Sequence, residues 1–221
     1  MIAKNITVVL TLSLLCLLGY NVKAQNVNYG RGTVIQETEY ANIIGSPYYM
    51  DKWNTGTVIF TNNKVAENIP LKYNAKDDEV YFKDSKDQTM AFKESVKFFT
   101  FTEANGKTHI FQNGYTGPGI NEKTYLEVIA GGKNQFLRKL SKTIVETKEY
   151  ASSNTDRHFL DKNEYYIYTG GKLYQVKKET KSIITSLPTK QTEMKQYIKS
   201  NNLNLKNDDD IVKAFKYYNP L

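Results

Sequence analysis

Cysteine and histidine are nearly missing from this sequence. In 221 residues there is one of the first, Cys16, and two of the second, His109 and His158. Cys16 falls inside an N-terminal apolar run. The rest of the chain therefore has no thiol nucleophile, no disulfide and no thiolate metal ligand. The two histidines lie far apart, and neither belongs to an H-E-x-x-H pattern or a pair at helical spacing, so no zinc site is implied. His109, in the strand-like run THIFQ, reads as a strand residue with a satisfied ring. There is no G-x-S-x-G or S-x-x-K to activate a serine. Gly45-Ser46 comes nearest, but Pro47 follows and no second glycine does. The two Gly-Gly-Lys stretches lack the spacing of a phosphate-cradling loop. Beyond the N-terminus no apolar run approaches the roughly 20 residues a membrane helix needs. No catalytic residue, metal ligand or cofactor is implied.

The N-terminal run has the three parts of a secretory signal. Lys4 supplies the positive start, Ile6 to Leu18 the apolar core, and Val22-Lys23-Ala24 the small residues before a cleavage site. We expect residues 1–24 to be removed after Ala24. Leu15, which is not small, precedes Cys16, so Cys16 reads as core filler and not as a lipidation site. Formal net charge is +7 for the whole chain. Without Lys4 and Lys23 the balance is only mildly basic and is spread along the sequence, which permits contact with anionic polymers without arguing for it. The expected location is the periplasm or the extracellular space, where a nucleic-acid ligand is unusual.

From Thr57 onward, short runs rich in β-branched and aromatic residues alternate with turn residues: TVIF, NIPLKYN, EVYFK, TMAFK, ESVKFFTFT and THIFQ. An earlier strand is expected near 33–37. The spacing leaves no room for crossover helices, so the sheet should be antiparallel and meandering. In SVKFFTFT, Val96, Phe98 and Thr100 share one side and Phe99 and Phe101 the other, which predicts a central strand covered on both faces. Two stretches, 124–140 and 164–179, share a theme: an aromatic strand, Gly-Gly-Lys, then an aromatic and basic strand. Both read as hairpins with tight turns. Residues 136–146 also fit helical spacing, but the hairpin analogy favours a strand. Helices are expected at the C-terminus. The first is a short turn at 182–187. The second is opened by Pro188 and Thr189, with Met194, Tyr197 and Ile198 on one face. The third follows Asn207 and the acids Asp208–Asp210, with Ile211, Val212, Phe215 and Tyr218 as its stripe.

The organisation expected is a signal at 1–24, an antiparallel β domain at 25–180 and a helical segment at 181–221 packed on it. The fold class is mainly β (α+β), a meander forming a sandwich or partly closed barrel with C-terminal helices.

Several constellations invite a functional reading. Asp77-Asp78-Glu79 and Asp84/Asp87 flank the strand EVYF and could serve a carboxylate-based glycan hydrolase or hold calcium. Each sits where a turn is wanted, and aspartate favours turns for local hydrogen-bonding reasons. Arg138, Lys139, Lys142, Lys172, Lys177, Lys178 and Lys181 gather on the hairpins beside Phe136 and Tyr174, and read as a solvated strand surface. The stretch GSPYYMDKWNTG (45–56) holds Tyr48, Tyr49 and the only tryptophan, Trp53. Rings beside polar groups either grip a ligand or anchor a loop. Because no second tryptophan completes a sugar platform, the anchor is favoured, with Tyr48, Tyr49 and Trp53 kept as the candidate ligand-binding residues.

The tail KSIITSLPTKQTEMKQYIKSNNLNLKNDDDIVKAFKYYNPL, with GSPYYMDKW, LKYNAKDDEVYF and EYYIYTGGKLYQVKK upstream, resembles a family of secreted, functionally uncharacterised proteins of Bacteroidota. The resemblance spans nearly all of residues 25–221, and its motifs are structural. It implies an exported envelope protein and brings no catalytic residues. The functional expectation is thus a non-catalytic envelope protein that binds or scaffolds a macromolecular partner, an envelope protein or glycan. The alternatives are a glycan hydrolase and a carrier of a small hydrophobic ligand held inside a barrel.

Overall fold

The computed structural model describes residues 32–36, 40–148 and 155–220. The expected signal and Glu37, at the end of the first expected strand, lie outside the described residues. Eleven strands form one antiparallel sheet: β1 (Gly32–Val34), β2 (Asn54–Phe60), β3 (Val65–Asn74), β4 (Glu79–Lys83), β5 (Thr89–Phe92), β6 (Val96–Thr102), β7 (Thr108–Gln112), β8 (Leu126–Ala130), β9 (Gln135–Lys148), β10 (Thr155–Thr169) and β11 (Lys172–Val176). Their order is β1-β5-β4-β3-β2-β6-β7-β8-β9-β10-β11. Three helices follow: α1 (Thr180–Thr185), α2 (Gln191–Ser200) and α3 (Asp208–Tyr218). The chain is mainly antiparallel β with C-terminal helices, as its alternating short runs predict.

The sheet does not close, because its end strands β1 and β11 do not pair with each other. It is nevertheless strongly curled. Tyr73 on β3 and Phe111 on β7 are separated by two strands, yet their ring centroids are 5.0 Å apart. The Lys142 amide of β9 donates to the Ala75 carbonyl just after β3, at 3.2 Å. Gly56 marks a tight point in the curl. A Cβ there would lie 2.0 Å from the Thr100 carbonyl oxygen, and the β2–β3 register shifts between Gly56 and Val58. Only glycine permits that approach.

Residues directly opposite one another share a face. A single cross-strand row runs Val58, Phe99, Phe111, Glu127, Arg138, Tyr165, Val176 from β2 to β11. It marks the concave face. At one end this face carries an aromatic cluster: Phe60, Tyr73, Phe82, Phe99, Phe101, Phe111 and Tyr125. At the other end, Phe136, Ile167 and Val176 meet the helices through Ile183, Leu187, Met194, Leu205, Ile211 and Phe215. On the opposite face of β8–β11, Leu126, Leu137, Tyr166 and Leu173 are covered by Tyr115 and Ile120 of the β7–β8 connection.

Several expectations are corrected in detail. β6 is central, but only Phe99 and Phe101 of its alternating rings are fully buried; Lys97 is exposed, and Phe98 and Thr100 are half-buried. The two Gly-Gly-Lys turns differ. Gly170 and Gly171, with φ of 56° and 76°, make the two-residue turn expected between Thr169 and Lys172. The β8–β9 connection is longer, spanning 131–134 with a register shift in β8, because Asn219 of the C-terminus inserts beside Gly132 and accepts from the Asn134 amide. Residues 136–146 belong to the long strand β9. α2 begins at Gln191 and not at Pro188; Lys190 precedes it with φ 55° and no side-chain cap. In α3, Val212 is exposed and Ala214 takes its place in the stripe.

Candidate functional site

Residues 43–50 cross the gap left by the curl as a strap bonded on both flanks. On one side Ile44 donates to the Arg157 carbonyl (2.8 Å) and accepts from the Phe159 amide (2.9 Å) on β10. On the other, Tyr49 donates to the Tyr73 carbonyl and Pro47 accepts from the Ala75 amide, each at 2.9 Å, along β3. β2 pairs with β3 only as far as Leu71, so Tyr49 occupies the ladder position that β2 vacates. This geometry makes the adjacent tyrosines diverge, as side chains of an extended segment do.

Tyr49 points to the concave face. Its ring packs edge-on against Phe101, His109 and Phe111 at centroid distances of 5.1–5.7 Å. Its hydroxyl lies 2.9 Å from His109 Nδ1 and 3.1 Å from Glu127 Oε1, and accepts from Arg138 Nη2 at 3.0 Å. This is the centre of a buried charged cluster lying between the aromatic and helical ends of the face. His109 Nδ1 is 2.8 Å from Glu127 Oε1, and its Nε2 is 2.7 Å from Glu103 Oε1. Arg138 donates through Nε to Glu127 Oε2 at 2.8 Å, and again through Nη2. Arg138 and Lys178 both reach Asp208 in the first turn of α3. Among the described residues no buried side-chain polar atom lacks a partner.

The electrostatics follow from that packing. Burial opposes a charge on His109, but hydrogen bonds to Glu127 and Glu103 outweigh it and raise its pKa above the ordinary 6.5. When protonated, the ring can donate to a carboxylate from each nitrogen. Burial likewise opposes ionisation of Glu127, and His109 and Arg138 overcome it, holding its carboxyl below 4.5. Burial, reinforced by the Glu127 charge, pushes the Tyr49 phenol well above its usual range and keeps it a neutral donor.

Tyr48 points the other way. Its ring meets Tyr81 of β4 edge-on and carries the Lys72 ammonium 4.0 Å from its centroid. Trp53 is half-buried, with Lys72 and Lys83 at 5.4 and 5.3 Å from its ring centroid. Strap residues Ser46, Tyr48 and Tyr49, with Asp51, Lys72 and Lys142, line a pocket of about 620 Å³. The candidate residues thus divide. Tyr49 is locked into the buried cluster, Tyr48 borders the pocket on the outer side, and Trp53 stands beside Lys72 outside the lining.

The aspartates that flank β4 sit in turns, Asp78 and Asp84 half-buried and Asp87 exposed. Asp78 has φ 60° and accepts from the Tyr73 hydroxyl and the Tyr125 amide; Asp84 accepts from the Lys86 and Gln88 amides; Asp87 pairs with Lys83. No group of three or more potential ligands is arranged to hold a metal among the described residues. The basic hairpin surface needs correction: Arg138 turns inward to Glu127, Lys178 binds Asp208 and Lys142 binds Asp161. Glu103, Glu127, Arg138 and Asp208 were not singled out as a set by the sequence. The available signal was a lone acid in the apolar run LEVIA and an arginine two residues after Phe136.

No known protein family, curated protein or solved structure matches this chain.

Proposed function

We propose that this is a non-catalytic exported envelope protein that holds a macromolecular partner at the strap and its pocket. The observation that carries this reading is an open pocket lined by Tyr48 of a strap hydrogen-bonded on both flanks and by Lys72 of β3, with the Trp53 ring beside Lys72. Preorganised rings and a held cation favour recognition because little side-chain freedom is lost on binding. The signal-like N-terminus and the resemblance to secreted proteins support export. A glycan hydrolase has less support. The half-buried Glu103 and the buried Glu127 are both committed to His109, Glu127 also to Arg138, and neither lines the pocket. An apolar carrier has less still, since rings at 4.7–5.5 Å occupy the concave face.

The test uses Trp53 as a single-source fluorophore in the chain lacking residues 1–24. Partial quenching by acrylamide, followed by a saturable emission change with an envelope glycan or peptide library and its loss in Tyr48→Ala, is the expected result. Release of sugar from any glycan in the library would overturn the non-catalytic reading.

A further inference from the structure

The pocket carries an unusual charge arrangement. The neighbouring lysines are paired: Lys76 with Asp77, Lys83 with Asp87, Lys142 with Asp161. Lys72 is not. Among the described residues its ammonium contacts only the Tyr48 and Trp53 rings. A cation held over aromatic faces keeps its full charge and its hydrogen-bond donors. On the same lining, Asp51 is exposed and makes no ion pair among the described residues, and Ser46 offers a hydroxyl whose oxygen already accepts from the Tyr48 amide at 3.2 Å. The pocket thus offers one uncommitted ammonium, one uncommitted carboxylate and a hydroxyl donor, at the rim of two rings.

We infer that this pocket takes a uronic-acid-type sugar of an acidic glycan, an inference that rests on the binding reading above. The sugar carboxylate pairs with Lys72, and the ring hydroxyls donate to Asp51 and accept from Ser46. The charge count selects among anions. One ammonium satisfies one carboxylate. A phosphate would set extra negative charge against Asp51, and an acidic peptide brings no ring hydroxyls to donate to Asp51 and accept from Ser46. A neutral sugar leaves the Lys72 ammonium without an anion. The lysine occupies ring faces that a nucleobase would stack on, so a flat aromatic ligand gains little here. Held by two rings, Lys72 is already positioned before the ligand arrives.

The experiment is calorimetric titration of the chain lacking residues 1–24 with oligogalacturonate, chito-oligosaccharide, oligoglutamate and inorganic phosphate, with Trp53 emission as a second readout. Saturable binding of oligogalacturonate alone is expected, weakening as salt is raised. Lys72→Gln should weaken it at least tenfold, Lys72→Arg much less, and Asp51→Asn should weaken it without changing the salt dependence. Thermal melts establish that each variant is folded. Equal binding of the neutral oligosaccharide, tighter binding of oligoglutamate or phosphate, or an unchanged Kd in folded Lys72→Gln would overturn the inference while leaving a binding protein. Binding of none of the probes overturns the inference. The proposed binding function falls separately, only if the wider glycan and peptide library also gives no response.

Discussion

The two apolar clusters on the concave face do the same job with different chemistry. The cluster on β2–β7 is rich in rings, with Phe99 and Phe111 stacked at 4.7 Å and Tyr73 and Tyr125 closing around them. The cluster under the helices is mainly aliphatic, with Phe136, Phe215 and Tyr218 as its rings. Tyrosines bring polar tips into the interior, and each tip needs a partner. Tyr73 finds Asp78, Tyr125 finds the Val96 carbonyl, and Tyr49 finds the His109–Glu127–Arg138 cluster. The aromatic end is therefore tied to titratable groups, whereas the helical end is held by shape and volume. The charged cluster divides them, and α3 reaches across it through Asp208.

The strongest way to break this comparison is Glu127→Leu. It removes the acceptor that Arg138 and His109 share, leaving the half-buried Arg138 with Asp208 and the buried His109 with Glu103, and should cost about 3 to 5 kcal/mol in urea unfolding. The double variant with Arg138→Met should recover part of that loss. Full additivity would mean that the two residues do not act as a pair. In the helical cluster, Leu205→Ala opens a cavity at a site with 0% exposure and should cost about 3 kcal/mol. Its cost should be the same at pH 5 and pH 9, whereas that of Glu127→Leu should not.

The pH dependence has a definite sign. His109 is raised, so its contribution is complete below 6.5 and is lost as pH climbs through its folded value. Glu127 is lowered, so its contribution is complete above 4.5 and is lost as pH falls through its folded value. Stability from the cluster should be greatest between these limits, and His109→Gln should flatten the alkaline side. An unchanged alkaline limb in that variant would mean that other groups set it. The smallest effects lie in turns and caps. Gly170→Ala forces a Cβ into the left-handed region and should cost about 1 kcal/mol. Asn207→Ala removes the oxygen that accepts from the Asp209 amide and should cost about 1 kcal/mol. Both are readable as shifts in Tm.

The strand pattern was legible because β-branched and aromatic runs alternate with turn residues at a spacing that only a meander satisfies. EVYFK and THIFQ coincide with β4 and β7. The curl was not legible, since it depends on a close approach at Gly56 that no local pattern announces. The charged cluster was hidden for a related reason. Its members lie on separate strands and a helix, and Arg138 looks like one more cation beside Lys139 until the 131–134 connection sets it opposite Glu127. His109 could be read as satisfied, but its partners could not be named without the register. In GSPYYMDKWNTG the residue types suggested anchoring. Only the ladder position beside Tyr73 determines that Tyr49 turns inward and Tyr48 outward.

The strap also bears on the order in which the molecule can be assembled. Ile44 bonds to Arg157 and Phe159, which follow it by roughly a hundred residues. Closing a loop of that length is entropically costly and has to be repaid by contacts formed elsewhere first. A chain emerging from its N-terminus holds Tyr48, Lys72 and Trp53 long before β10 exists to fasten the strap. The pocket is therefore a late product of folding, and a chain truncated before β10 carries the residues of the site without the site.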